Sequence, residues 1–260
     1  MLIPETSKIF KIALIALAAF FALPEECYSQ LPLITDNTGV QGKGNGQVEL
    51  SNGIGFHSEH RCMENSTEIL PVFTYGLFDK CDLILNYPFL FSTIIDDSSI
   101  TKIAGFSDIN LEVKYQFFKK DHISFALKPG VSFPTGSYID GLGSGKVNCT
   151  LFLILTAEYP TISYNANLGY LKNENRCGDA LNIWHASLNI DKKFSKEFHF
   201  VFNTGMEKSP DPTSNSFPVF GLLGFYYCLS DNCEFSLGYE HDFIKEETHH
   251  SFIYGITLKF

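Results

Sequence analysis

Apolar and polar residues alternate with a period of two along most of the chain after residue 45. In residues 109–117 every odd position is apolar and every even position is polar. A β-strand turns successive side chains to opposite faces, so this pattern predicts a strand with one apolar and one polar face. With occasional exceptions the pattern recurs in six further segments, at 123–132, 162–170, 184–190, 198–203, 234–240 and 252–260.

Weaker strand candidates fill the gaps between these segments. Together with the alternating segments they predict twelve strands. Each has about a dozen residues, which exceeds the about 5–6 of an average strand and suits the about 9–11 of a transmembrane strand. Pro88 lies inside one candidate, where it lacks the N–H for a ladder hydrogen bond. The candidates are 46–57, 67–78, 82–93, 147–158 and 217–229.

The predicted connections alternate in length. The short ones lie at 79–82, 119–121, 159–160, 191–197 and 230–232, and the long ones at 58–66, 94–104, 134–146, 171–179, 208–216 and 245–250. Tight periplasmic turns and longer external loops are typical of outer-membrane barrels. The sequence therefore predicts an all-β fold, a closed antiparallel transmembrane β-barrel of about 12 strands over residues 46–260.

Composition excludes two other classes of protein. Hydrophobic residues make up 45% of the chain and charged residues 18%, yet no apolar run after residue 30 reaches the roughly 18 residues of a spanning helix. The net charge of −10 argues against nucleic acid as a partner, because phosphates need a basic surface. The apolar residues are instead distributed over alternate positions, where they would face outer-membrane lipid.

The first residues read as an export signal. Lys8 and Lys11 precede the apolar stretch 12–23, and the small residue Ser29 follows, which predicts a signal peptide over residues 1–29. Residues 30–45 form a Gly-rich segment, which we call the lead, expected in the periplasm and able to fold into the barrel as a plug.

The C-terminus carries a second targeting signal. Residues 254–260 place apolar side chains at alternate positions and end on Phe260. This arrangement resembles the terminal strand that bacterial outer-membrane proteins present to their insertion machinery. The expected location is the bacterial outer membrane, with the insertion machinery as a partner of the last strand.

Four segments carry a family resemblance. They read PLITDNTGVQGKGNGQVEL at 32–50, GFSDINLEVKY at 105–115, PGVSFPTG at 129–136 and GLGSGK at 141–146. Together they resemble the outer-membrane, transporter-like family of the "MetA pathway of phenol degradation" over most of residues 32–260. The resemblance implies a barrel for passive uptake, associated in some members with aromatic compounds, and no catalytic residues.

Polar residues at the alternate strand positions expected to face inward form the candidate lumen lining. They either fill the barrel with solvated and salt-bridged groups or select which solutes enter. The candidates are Glu49, Glu112, Lys114, Lys128, Glu158, His185, Ser187, Asn189, Glu234 and Glu240.

Several other motifs suggest chemistry that the sequence does not support. The 141–146 segment lacks the spacing of a phosphate-binding loop, because Asp140 and Val147 stand at required positions and a strand follows. His57, His60 and Cys62 have ligand-like spacing, but loop residues in solvent are the default interpretation. We therefore expect no cofactor and no metal.

Two residue pairs allow a specific chemical interpretation, a disulfide in one case and a catalytic pair in the other. Cys228 and Cys233 bracket a turn in an exported chain, which makes a disulfide possible. His185 and Ser187 share one wall of a strand and would be the base and nucleophile of a barrel enzyme, although no Gly-x-Ser-x-Gly motif is present.

The sequence thus favours a passive outer-membrane channel for small molecules, with hydrophobic or aromatic solutes among the candidates. The gate would be the 134–146 loop or the lead. Two alternatives remain open, a structural or surface-interaction barrel without flux and an outer-membrane barrel enzyme.

Overall fold

The computed structural model of the chain describes residues 31–59, 62–243 and 247–260. The predicted signal peptide (1–29) and His60 lie outside these residues. Within the described part of the chain, no helix is long and apolar enough to cross a membrane. The strands are β1 (Gly46–Glu59), β2 (Cys62–Phe78), β3 (Cys81–Asn86), β4 (Phe89–Ile95), β5 (Ile100–Phe106), β6 (Ile109–Lys120), β7 (Ile123–Phe133), β8 (Asn148–Tyr159), β9 (Ile162–Lys172), β10 (Asn182–Lys193), β11 (Phe198–Glu207), β12 (Val219–Ser230), β13 (Cys233–Phe243) and β14 (Glu247–Lys259).

The sheet closes on itself. β1 pairs antiparallel with β14 from Gln47↔Lys259 to Glu59↔Glu247, and with β2 on its other side. From β2 the ring continues through β3 and β6 and then in sequence order to β14. Closure leaves this ring without a free edge, as a lipid-embedded sheet requires. The predicted closed antiparallel barrel is confirmed.

Pro88 explains why the structure has two strands, β4 and β5, in addition to the twelve of the ring. Its missing N–H interrupts the third strand of the ring, so β3 ends at Asn86 and β4 resumes at Phe89. The neighbouring strand breaks at the same level, between β5 and β6, where the Ser107 N–H donates to the Pro88 carbonyl (2.9 Å). β2 bridges the break by pairing with β3 along one half and β4 along the other.

Three of the predicted long loops are wrong. The 58–66 loop is mostly strand, since β1 extends to Glu59 and β2 begins at Cys62. The 94–104 loop is a hairpin, in which the Asp96 side chain accepts hydrogen bonds from the Ser98 and Ser99 N–H groups (both 2.8 Å). The 245–250 loop is largely the start of β14.

The two faces of the barrel differ in polarity, as the alternation predicts. Large apolar side chains cover the outside. Polar side chains predominate inside, where Asn189 and Asn203 are almost fully buried together with the apolar Ile154, Val201 and Leu222. Aromatic residues near the strand ends are 42–54% exposed on the outer surface: Phe91, Phe117, Phe133, Tyr159, Tyr227 and Phe260. Such aromatic girdles suit the two membrane interfaces.

Candidate functional site in the barrel interior

The described part of the lead, residues 31–45, contacts strands all around the ring. Leu31 lies against Gly255 of β14, Pro32 lies against Gly224 of β12, and the lead later reaches Gly76 of β2. A segment that touches opposite walls in this way runs through the interior of the barrel.

Glycines allow the lead to approach β2 closely. The Gly44 N–H donates to the Gly76 carbonyl (2.8 Å), and the Gly76 N–H donates to the Asn45 carbonyl (2.9 Å). Gly42 and Gly44 have φ of 77° and 86°, which side chains of L-residues disfavour. A Cβ on Gly76 would lie 1.8 Å from the Gly42 carbonyl oxygen, so the contact needs glycine on the wall.

Asp36 of the lead sits between two lysines of the wall. Its carboxylate lies 3.2 Å from Lys114 Nζ and 3.0 Å from Lys128 Nζ, and Glu112 lies 3.8 Å from Lys128. The Asp36 and Lys114 side chains are about 3–4% exposed. Burial alone would raise the pKa of Asp36, but the two ammonium groups outweigh burial and hold the pKa below the ordinary value of 3.8.

Asn203 of β11 binds the lead next to Asp36. Its Oδ1 accepts from the N–H groups of Ile34 (2.9 Å) and Thr35 (3.1 Å), and its Nδ2 donates to Thr35 Oγ1 (2.6 Å). When its amide is oriented to satisfy both groups, Asn167 pairs with the N–H and carbonyl of Asp36 (2.7 and 2.9 Å). These contacts satisfy backbone groups that a segment without secondary structure leaves free.

Further wall residues bind the lead beyond Asp36. The Thr38 N–H donates to Thr156 Oγ1 (3.0 Å), and Gln116 donates to the Thr38 carbonyl (2.9 Å). The Gln41 N–H donates to both carboxylate oxygens of Asp82 (3.0 and 3.1 Å). The lead is therefore bound by polar contacts along its length.

The candidate lining residues occupy several parts of the interior. Lys114, Lys128 and Glu112 come together at Asp36. Glu240 accepts from Ser251 Oγ (3.0 Å), away from that cluster. The remaining acidic candidates are Glu49, which accepts from the Gln47 amide, Glu234, which is buried beside Cys228, and Glu158, which is exposed at the end of β8.

His185 and Ser187 do form a hydrogen-bonded series with an acid. Glu207 Oε2 lies 3.1 Å from His185 Nδ1, and His185 Nε2 lies 2.9 Å from Ser187 Oγ. Sequence reasoning missed Glu207, which pairs in register with His185 across β10 and β11. Ser187 is buried, and the backbone on both sides of it is paired in the sheet.

Cys228 and Cys233 are not facing partners. Cys228 pairs in register with Glu234, and Cys233 pairs with Ser230 across a bulge. Both are thiols, and no disulfide joins these two described residues. The disulfide prediction assumed that the residues flanking the turn face each other, and the bulge shifts that register.

The 134–146 loop is bound to Asp108 rather than shaped for phosphate. The Asp108 carboxylate accepts from the N–H groups of Gly136 and Ser144 and from Ser144 Oγ, each at 2.9 Å. Backbone donors that would hold a phosphate are thus occupied by a carboxylate. No group of three His, Cys, Asp or Glu side chains suited to a metal ion occurs among the described residues.

The residues that bind the lead were mostly missed from the sequence. Asp36, Asp82, Asn167 and Asn203 were not among the candidates, although the last three lie on inward positions. The one available signal was the polar run Thr35–Thr38 inside an otherwise Gly-rich and apolar segment.

Solved structures with the same fold are outer-membrane barrels. An outer membrane channel from Pseudomonas putida F1 has a TM-score of 0.68 at 10% identity, covering 92% of this chain and 100% of that one. The translocator domain of the autotransporter NalP from Neisseria meningitidis has a TM-score of 0.56 at 9% identity, covering 98% and 96%. The NanC porin has a TM-score of 0.52 at 11% identity, covering 80% and 98%. The fold is that of an outer-membrane β-barrel.

The sequence comparison defines the family. Residues 38–260 match the family model described as "Putative MetA-pathway of phenol degradation", so the chain belongs to this family. The resemblance inferred from the four motifs is confirmed. A comparison with curated protein sequences found no match.

Proposed function

We propose that the chain is a passive outer-membrane channel for small molecules and that the lead closes it. The observation that carries the proposal is the way Asp36 is held by Lys114 and Lys128. Most described contacts of the lead are polar and can be exchanged for water when it leaves. Pro32, which is fully buried against β12 and β13 near Leu222, is an apolar contact that release would break.

The charged groups released with the lead would set the selectivity of the open channel. With the lead in place, Asp36 neutralises charge on Lys114 and Lys128. Once it leaves, these two lysines face the lumen with acidic neighbours of their own, Glu112 and Glu49 beside Lys128 and Asp82 beside Lys114. Rings of charge bias which solutes enter a pore. Because charges of both signs lie together here, the open state favours neither anions nor cations of the same size.

We propose no enzymatic role for Glu207, His185 and Ser187. Their order matches an acid, base and nucleophile. An acyl transfer also needs donors aimed at the developing oxyanion, and the backbone beside Ser187 is paired in the sheet. The imidazole packs between Phe152 and Phe220 (ring centroids at 5.7 and 6.3 Å). We assign these residues a structural role in the wall.

Solute flux into proteoliposomes tests the proposal. The full chain is reconstituted, and swelling rates are compared for a neutral sugar, a small carboxylate, a small amine and phenol, the last because the family's description names phenol degradation. We expect flux above that of empty liposomes, with the carboxylate and the amine entering at similar rates. Rates equal to those of empty liposomes, for the wild type and for Asp36→Asn alike, would support a barrel without flux.

A further inference from the structure

A cavity of about 280 Å³ lies between the lead and the barrel wall. It is near the end of the barrel that carries the short turns, since Asp79, Tyr159 and Lys193 line it. We call it the turn-side cavity. Its volume is near the lower end of the roughly 300–1,000 Å³ of small-molecule sites. Leu33, Asn37 and Gly39 of the lead form one side, so the cavity exists while the lead is in place.

A belt of five inward polar residues runs along the wall at this level. They are register partners on adjacent strands β7 to β11, and each is at most 7% exposed. The belt consists of Ser124, Thr156, Asn165, Asn189 and Asn203.

The lead binds the belt on both sides of Asn189 and passes over it. Thr38 contacts Ser124 and Thr156 on one side, and Asn203 binds the backbone of residues 34–35 on the other. Asn189 lines the cavity, is 1% exposed, and neither its Oδ1 nor its Nδ2 has a hydrogen-bond partner among the described residues. Buried amides are almost always hydrogen-bonded, so this one points to a ligand.

The chemistry of the cavity defines the class of that ligand. The Asn189 amide offers adjacent donor and acceptor atoms, which a hydroxyl group matches because it both donates and accepts. The charged groups of the lining are mixed in sign: Asp79, Glu158, Asp191, Lys119 and Lys193. With carboxylates and ammonium groups interspersed, neither an anion nor a cation is favoured.

The same wall supplies more partners of this kind closer to the short turns. Asp191, His199 and Tyr226 form one hydrogen-bonded group, with Asp191 Oδ1 3.0 Å from His199 Nδ1. Ser163 and Gln116 add a hydroxyl and an amide to the lining. A ligand in the cavity thus meets further hydrogen-bonding groups beside Asn189.

We propose that the turn-side cavity binds a small neutral polyhydroxylated molecule, a polyol or monosaccharide, through the Asn189 amide. The inference deepens the proposed channel function by naming a solute class for the closed state. Because the lead forms part of the site, a bound solute stabilises the closed arrangement over one in which the lead has left.

Binding of D-glucose to the purified full chain in detergent tests the proposal. Saturation-transfer NMR titrations compare the wild type with Asn189→Leu, which keeps the branched shape of the side chain and removes the amide. Because the Asn189 side chain has no hydrogen-bond partner among the described residues, this change breaks no hydrogen bond there. Asn182→Leu is the matched control at the other end of β10, where the side chain contacts Tyr170. A second variant, Asn189→Ala, also removes the amide. The heat-modifiable gel mobility of each variant checks that its barrel is folded.

We expect saturable glucose binding that weakens at least tenfold in Asn189→Leu and Asn189→Ala and is unchanged in Asn182→Leu. Absence of saturable binding to the wild type, or equal affinity in the Asn189 variants, would overturn the proposal and leave water as the occupant. Phenol competing with glucose for the same site would overturn the assignment to polyols. Flux in proteoliposomes with no glucose binding would remove this inference and leave the channel function intact.

Discussion

Asp36 and Lys128 form an ion pair of 3.0 Å (Oδ2 to Nζ) between the lead and the barrel wall. They belong to different parts of the chain, one to a segment without secondary structure and the other to β7. Lys114 of β6 binds the same carboxylate, so one residue of the lead neutralises two of the wall. The closed state that we propose depends on this cluster.

Asp36→Asn weakens closure. The amide cannot neutralise Lys114 and Lys128, and the loss of a buried charged contact costs about 2 kcal/mol, which is roughly a 30-fold change in the ratio of open to closed channels. The measurement is the open fraction in planar bilayers. Glu174→Gln is the matched control, because Glu174 also lies between two lysines (3.6 and 3.8 Å) but on the exposed surface. Such pairs contribute little, and an equal effect of both variants would contradict the assignment.

Asn203→Ala loosens the first part of the lead. Three hydrogen bonds from Asn203 to residues 34–35 are lost, each contributing about 1 kcal/mol, so the released fraction rises by at least about tenfold. Limited proteolysis of the lead in detergent follows that fraction when opening is faster than cleavage. Asn182→Ala should cleave at the wild-type rate. Unchanged protection in Asn203→Ala would mean that this anchor is unimportant.

Gly76→Val displaces the lead from β2. A Cβ at this position would lie 1.8 Å from the Gly42 carbonyl oxygen, so the backbone contact between the lead and β2 cannot form. Gly53→Val is the control on β1, where a Cβ would meet nothing within 4 Å. Hydrogen exchange of residues 40–46 should become much faster in the first variant and stay slow in the second. Equal protection in both would show that the lead does not depend on this contact.

Closure should also depend on pH. Because the folded-state pKa of Asp36 lies below its ordinary value of 3.8, its contribution is complete above that value. The contribution is lost as pH falls through the lowered pKa. The Asp36 contribution should therefore appear as a rise in the open fraction below pH 4 in the wild type, and Asp36→Asn lacks this contribution. An identical acid response in the variant would assign the effect to other carboxylates.

Changes at His185 and Ser187 should leave no catalytic deficit. Ser187→Ala and His185→Ala are compared with the wild type for ester hydrolysis and for labelling by a fluorophosphonate probe. We expect no labelling of Ser187 in the wild type, since the serine is buried and its backbone surroundings are paired. Labelling at Ser187 that disappears in His185→Ala would revive the enzyme alternative.

The barrel was predictable because lipid outside and polar groups inside impose alternation on every spanning strand. The pattern weakens where strands extend past the membrane, since the outer face of the wall then needs no apolar residue. Residues 58–66 are mostly polar and do not alternate, which predicts a loop, although Ser58 and Glu59 pair with both neighbouring strands. The hairpin at Asp96 had a local signal in its Asp-Asp-Ser-Ser sequence.

The site was less predictable than the wall. The alternation of polar and apolar residues placed Lys114 and Lys128 on the inward face of their strands. Asp36 lies in a segment without such periodicity. Its partners are far away in sequence, and Asn203 binds residues separated from it by 168 and 169 positions. To predict which inward-facing residue contacts the lead, the pairing register of every strand between the two must be known. The sequence alone does not determine that register. Asn189 was on the inward face by parity, while its lack of a partner became visible only with the lead in place.

Trypsin applied to a single channel during recording tests closure by the lead most directly. Lys43 is exposed near the end of the lead, so cleavage there separates the preceding lead residues from the barrel. The same full-length channel is recorded before and after trypsin is added on the turn side, with Lys43→Gln as the control. We predict rare openings before cleavage, a lasting conductance increase after it, and no increase in Lys43→Gln. Full conductance before trypsin, or none after complete cleavage, would contradict a channel closed by the lead.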